Sequence, residues 1–402
     1  MPKKSPDSRS SAGVNLPPKK KKRRRRRSLL FRAVSFFVML VVVLGAVALV
    51  AFRDQLNIDA LRRAIAYRQM ERTESGQCME FQYEKDTSNQ FASYQNGLLI
   101  ASTTGIALLD QCGQVRFSEK AVMSSPIVCT SGNAALVYDA GGPRLVAFSG
   151  MKTGLSLTLD NGLSFFSAAL NDSGYLTTVS KAPGYKAVVN VYDDTQEHVF
   201  RWNSSSHFVS DAAVFNDCKT MAAITVGQSD TQYQSTAVFY RLDSETQYAS
   251  LDLGSQLVLS VKPMGDLLCV LTEDAVVYIN NKGEQVSSYS YQNESLSAFS
   301  LDGDGFSVLE LGKYHAGSLG RLDTVDLSGN TIATLPFSDH IVSLSVAGRY
   351  IGVLFSNHLD IYDKSFNLYA RLDDTGNTRK ILMRADGSVM CVDADTAWLY
   401  LP

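Results

Sequence analysis

Cysteine, proline and tryptophan are scarce in this sequence: six, ten and two among 402 residues. Six cysteines with no C-x-x-C pair cannot form a disulfide-stapled scaffold. Ten prolines and 28 glycines exclude a collagen-like fibre, and a hydrophobic content of 45% excludes a wholly disordered chain. Histidine is sparse as well. His198, His207, His315, His340 and His358 never fall within four residues of one another or of a cysteine, so there is no local metal-ligand spacing. Catalytic signatures are also missing: no G-x-S-x-G elbow, no H-E-x-x-H helix and no P-loop.

Charge is present but unevenly spread. Residues 1–32 hold 13 Lys/Arg against the single acid Asp7, a balance of +12. The other 370 residues hold 25 Lys/Arg and 39 Asp/Glu, a balance of −14, so by composition the bulk of the chain is not a nucleic-acid binder.

The basic run is Lys19, Lys20, Lys21, Lys22, Arg23, Arg24, Arg25, Arg26 and Arg27, a block that repels itself and predicts a disordered tail over residues 1–28. Residues 33–52 then carry no charge at all. As a helix they span ~30 Å, the thickness of a bilayer core. A nucleic-acid or nuclear-targeting patch would leave this apolar run unexplained. A cleaved signal peptide has an apolar region of only ~7–15 residues, and the small-residue site Ala46-Val47-Ala48 lies inside the run. A signal anchor accounts for both features. The cations stay inside, residues 29–52 cross the plasma membrane once, and the rest is exported. The nine cations are also placed to meet anionic headgroups, at ~1 kcal/mol each. Residues 53–75 lack Gly and Pro, and Leu56, Ala60, Leu61, Ala64, Ile65 and Arg68 keep helical spacing. This predicts a helical stalk over residues 53–77, ending near Ser75-Gly76. Leu56, Leu61 and Ile65 make too short a seam to predict a coiled-coil dimer.

From Cys78 onward the helical period disappears. Short runs rich in Val, Leu, Tyr, Phe, Ser and Thr are broken by Gly, Asp and Asn every 8–12 residues. A longer period lies above this one. Apolar runs followed by small polar turns begin near 89, 124, 164, 207, 256, 295, 340 and 378, at spacings of 35 to 49 residues. Four strands per unit, here called a to d, are the blades of a β-propeller. The last unit has only a, b and c before Pro402, so residues 78–85 are expected to supply its d strand and cover the open edge. The expectation is an all-β fold of eight blades over residues 78–402, or seven if unit 89–120 or 207–250 is misread.

The c–d hairpins carry Asp110-x-x-Gly113, Asp326-x-x-Gly329 and the variant Asn280-x-x-Gly283. These turns resemble those of quinoprotein-type eight-bladed propellers, and the fold resembles quinoprotein-like or WD40-like eight-bladed propellers. The whole chain, with basic tail, anchor and ring, is similar to a membrane-anchored propeller family of unknown function from Gram-positive bacteria. Quinoprotein enzymes carry a Trp in each blade, whereas this chain has only Trp202 and Trp398. The resemblance therefore implies fold and not quinone chemistry, and no cofactor is expected.

Asp302-Gly303-Asp304-Gly305 begins like a calcium loop but lacks the third oxygen ligand and the Glu at position twelve, and it falls where other units have their a–b turn. Cys129, Cys269 and Cys391 fall inside strands as small core residues. Cys78, Cys112 and Cys218 fall at strand ends, and a Cys78–Cys112 bridge between adjacent blades is left open. No catalytic, cofactor or metal residue is assigned.

In a propeller the d–a and b–c connections share one face, and the a–b and c–d turns share the other. Here the long connections are b–c (181–186, 227–235, 312–320) and d–a (203–207, 373–378). This loop-rich face carries Tyr185, His207, Tyr233, Tyr314, His315 and His358, aromatic groups suited to a partner contact. Because the stalk leads into strand d, the membrane is expected on the short-turn side. The expected function is a non-enzymatic, membrane-tethered binding or scaffolding protein facing outward, with a protein or glycan partner in the cell envelope. Two alternatives stay open. One is a propeller hydrolase or lyase acting on an envelope polymer, its acids drawn from separate blades; the other is an extracellular sensor signalling through the helix to the basic cytoplasmic tail.

Overall fold

The computed structural model describes residues 23–51, 58–68, 70–160, 162–229, 232–312 and 320–402. The chain divides into two compact units, residues 1–62 and 63–402. In the first, helix α1 (Arg23–Ala51) is followed by the start of helix α2 (Ile58–Ala66). The described side chains of α1, residues 31–45, are exposed throughout, Phe36, Met39 and Val42 among them. Among the described residues, no helix is long and apolar enough to cross a membrane. The lysines Lys19 to Lys22 and Leu56 lie outside the described residues.

The second unit holds eight four-stranded antiparallel sheets, each built from consecutive strands except the last. This is an eight-bladed β-propeller, and both weaker units, 89–120 and 207–250, are complete blades. The innermost strands begin at 90, 126, 165, 208, 258, 295, 341 and 380, each within two residues of its expected start. In the last blade the order is Phe81–Gln82, Thr396–Tyr400, Val389–Val392, Lys380–Met383, so the chain's first strand closes the ring. The closing strand is shorter than residues 78–85. Its ladder is extended by single bonds, Cys78 N–H to Leu399 O at 2.9 Å and Tyr83 N–H to Asp395 O at 3.1 Å.

The stalk also differs from the expectation of a helix to residue 77, since α2 stops at Ala66. Beyond it the chain turns back on itself: Gly76 N–H donates to Thr73 O, and Thr73 N–H to Gln77 O at 2.8 Å. Gly76 sits at φ +88°, and a Cβ there would lie 2.3 Å from the Leu401 carbonyl oxygen. Its glycine thus serves a docked turn against the C-terminus and not a helix cap.

The apolar core is divided among the spaces between blades. Phe215, Ile224 and Phe239 of blade 4 pack on Leu268, Val270 and Ile279 of blade 5, and Phe81 of the closing strand packs between blades 8 and 1 against Leu98 and Met390. The b strands are covered on both faces, as in Tyr350–Phe355, where every residue is buried. The outer d strands alternate, as in Gln285–Ser290. Two-sided burial of this kind makes a strand apolar without period-two patterning.

The c–d turns repeat one hydrogen-bond scheme. The side-chain oxygen of Asp110, Asp193, Asn280, Asp326 or Asp363 accepts the N–H groups two and four residues on, at 2.8 to 3.0 Å. The residue three further on adopts positive φ: Gly113, Gln196, Gly283, Gly329 or Phe366. The short acceptor competes for backbone donors and fixes the turn. Asp302-Gly303-Asp304-Gly305 is likewise an a–b turn, with Asp304 N–H bonded to Gly348 O of the next blade at 2.8 Å.

All six cysteines are free thiols, so the Cys78–Cys112 bridge left open by the sequence is not formed. Cys78 is buried and its thiol pKa is raised, first by burial and further by the nearby Cys112. Cys269 and Cys391 are fully buried core residues, whereas Cys129 is only half-buried because it faces the channel.

Candidate functional site: the loop face and the central channel

The innermost strands of all eight blades line a central cavity of about 810 Å³. Its wall mixes apolar groups with a polar sector contributed by successive blades: Cys129, Ser167, Asp211, Lys262 and Asp302. Asp211 is part-buried on the cavity wall, and desolvation there pushes its carboxyl up to about 6. Hydrogen bonds from the Ser167 hydroxyl and the Ala212 and Val261 N–H groups oppose that rise without cancelling it. Lys262 forms an ion pair with Asp302 of the next blade, and Ser300 donates to the same carboxylate at 3.1 Å. Among the described residues, no three His, Cys, Asp or Glu side chains gather as metal ligands.

On the loop face the expected residues fall into separate places. Tyr185 opens the c strand of blade 3 and is 44% exposed, while Tyr233, in the c strand of blade 4, is 76% exposed. His207 lies in the connection between these blades and lines a cleft of about 600 Å³ with Trp202, Gln234 and Tyr240. Trp202 and Tyr240 pack with ring centroids 4.8 Å apart, and Ser206 Oγ lies 2.8 Å from His207 Nδ1. His358 belongs to blade 7, opposite blade 3 in an eight-bladed ring, and does not join them. Its ring stacks on Phe355 at 4.7 Å, and Nε2 lies 3.6 Å from the Asp360 carboxylate. Tyr314 and His315 lie outside the described residues. The structure thus gathers His207 with Trp202 and Tyr240 and leaves Tyr185 and Tyr233 as exposed rims.

Sequence reasoning missed a set of apolar residues at the loop-face ends of the innermost strands. Ile127, Phe166, Phe208 and Leu259, one in each of blades 2 to 5, are between 37% and 56% exposed. Lys186 Nζ stands 4.9 Å from the Phe208 ring centroid, a cation–π arrangement. The available signal was weak: a Phe165-Phe166 pair at a strand start reads as core.

In architecture the chain is similar to the computationally designed Ika8 protein, with a TM-score of 0.56 and 12% identity over 80% of this chain and 98% of that one. It is similar to the C-terminal WD40 domain of Sif2, with a TM-score of 0.56 and 12% identity over 80% and 97% of the two chains. It is also similar to BamB from Moraxella catarrhalis, with a TM-score of 0.50 and 11% identity over 81% and 99%. At such identities the likeness is one of fold. No curated protein matches the chain in sequence. Residues 67–396, which take in nearly all of the ring, match the family described as "Family of unknown function (DUF5711)", and the chain belongs to that family.

Proposed function

We propose that the protein is a single-pass component of a bacterial plasma membrane, N-terminus inside, whose propeller lies outside and binds or scaffolds a protein or glycan of the cell envelope without catalysing a reaction. The observation that carries this reading is the division of labour between the two faces. Arg63, the first residue of the second unit, donates to the Asp386 carbonyl in the a–b turn of blade 8, so the chain enters the ring on the short-turn face. The exposed aromatic and apolar groups Tyr185, Phe208 and Tyr233 stand on the opposite face. The uncharged run 33–52, which follows nine cations in the sequence and of which residues 33–51 lie in α1, supports the anchor and its orientation. The same cations are placed to hold anionic headgroups of the inner leaflet.

Impermeant maleimide labelling tests the arrangement in a background with Cys112, Cys129 and Cys218, the exposed and part-exposed cysteines, replaced by serine. A Tyr233→Cys variant is expected to label on intact protoplasts, and a Ser11→Cys variant only after lysis. The opposite pattern overturns the topology. Release of soluble product from cell-wall fragments by the purified full chain, lost on Asp211→Asn, overturns the non-enzymatic reading.

A further inference from the structure

We infer that the loop face seats a segment of a partner protein in which apolar side chains stand next to a cluster of Lys or Arg. This rests on the reading above that the loop face is the contact face, and it names the chemistry of the partner. The first observation is a repeated defect in the innermost strands. In blades 3 to 7 the a–b ladder skips one residue near the loop face, between Phe165 and Ser167, Val209 and Asp211, Val258 and Ser260, Leu296 and Ala298, and Ile341 and Ser343. A bulge of this kind re-aims the skipped side chain. In blades 3 and 5 that residue is Phe166 or Leu259, turned out to 41% and 45% exposure. Ile127 of blade 2 and Phe208 of blade 4 stand at neighbouring strand ends, so four successive blades form one apolar arc. An exposed arc of large apolar groups on a rigid ring is a contact surface by its physics.

The second observation is charge. Across the same face, the connections of blades 7, 8 and 1 expose Asp339, Asp373, Asp374, Asp395 and Glu84 against the cations Lys85 and Arg379, so the sector is acidic in balance. An occupant that covers the apolar arc and extends across the ring meets this carboxylate sector, so cations on it are attracted and carboxylates repelled. The Phe208 ring already holds the Lys186 ammonium at 4.9 Å, the geometry an incoming Lys or Arg would repeat on Phe166.

The test uses the full chain in lipid nanodiscs. The probe is a fluorescent peptide with Trp-Leu-Phe at one end and four lysines at the other, and its twin has glutamates in place of the lysines. Saturable binding is expected for the first, weakened about tenfold or more in the twin. Phe166→Asp with Leu259→Asp is expected to abolish binding, and the milder Phe166→Ser with Leu259→Ser to reduce it about tenfold with unchanged circular dichroism. The aspartates add negative charge, so an unspecific ionic contact would tighten. Tightening, indifference to both pairs of substitutions, equal binding of the twin, or displacement by a neutral wall glycan overturns the inference. If maleimide places the loop face inside the cell while the peptide still binds to the arc, the topology falls and the inference stands. If labelling is external and the peptide fails, the inference falls alone.

Discussion

The carboxylate of Asp360, 1% exposed, accepts two hydrogen bonds from the Arg371 guanidinium, at 2.6 and 2.7 Å, across the c and d strands of blade 7. Tyr362 donates to the same carboxylate at 2.6 Å. Bidentate pairing with a third hydrogen bond on the same carboxylate is the geometry in which a buried charge is tolerated. Asp360→Ala removes the acceptor for three donors. Chemical denaturation is expected to show a loss of about 2 kcal/mol, below the ~3–5 of a fully buried pair because Arg371 is half-exposed. An unchanged midpoint would contradict this.

Two aspartates give the fold opposing pH dependences. Burial alone would raise Asp360, but Arg371 and Tyr362 outweigh it and hold its pKa low. Its contribution is present above the unfolded-state value and is lost as pH falls through the folded one. Asp211 behaves in the other sense, because burial pushes it up to about 6. The folded state then binds a proton that the unfolded state has released, so stability declines as pH rises from about 4 to about 6. Asp211→Asn is expected to stabilise the protein above pH 6, by up to about 3 kcal/mol at ~1.4 per pKa unit, and to flatten that slope. Thermal melts of both proteins between pH 4 and pH 8 measure the difference. Parallel curves would show that Asp211 titrates normally.

The five matching c–d turns divide in sequence by a single feature. Three carry glycine at the positive-φ position, and they are the three visible as Asp/Asn-x-x-Gly. The other two place Gln196 at φ 67° and Phe366 at φ 55°. Gln196 also buries its Oε1 with no hydrogen-bond partner among the described residues. Gln196→Gly relieves both costs and is expected to stabilise by about 1 kcal/mol, net of the entropy glycine loses on folding. Gly113→Ala acts the other way. At φ +79° its Cβ would lie 2.5 Å from Phe81 Cβ, on the closing strand. A loss of about 2 kcal/mol or more is expected there, and equal melting temperatures for the two variants would contradict the shared turn scheme.

Blade number, blade phase and the pairing of the two chain ends were legible because each depends on a local pattern: apolar runs, polar turns, and a final unit one strand short. The stalk was misread because Gly76 looks the same whether it caps a helix or accommodates the Leu401 carbonyl oxygen, which is remote in sequence. The loop-face residues Tyr185 and Tyr233 could be found from loop length. Phe166 and Leu259 could not, because their exposure depends on a register skip against a partner strand. Asp211 was equally hidden, since its environment is assembled from blades 3, 4 and 5.

The seam of the ring depends on a clasp that strand pairing alone does not supply. Arg63 is 6% exposed, and its guanidinium donates to Tyr369 Oη at 2.6 Å, to Pro402 O at 3.1 Å and to the Asp386 carbonyl. Tyr67 Oη donates to the Asp386 carboxylate at 2.9 Å. The closing strand proper pairs Phe81 and Gln82, with single bonds at Cys78 and Tyr83 and one from Leu401 N–H to Gly76 O beside it, and the Arg63 and Tyr67 bonds add side-chain contacts to that seam. Arg63→Ala removes three charge-assisted hydrogen bonds at a part-buried site, for an expected cost of about 2 kcal/mol. Hydrogen exchange distinguishes a seam effect from general weakening. Amides of Val389–Val392 and Thr396–Tyr400 are expected to exchange faster, while those of Thr220–Ser229 in blade 4 keep their protection. Uniform acceleration across the blades would mean that the ring opens as one unit and that the clasp has no local role.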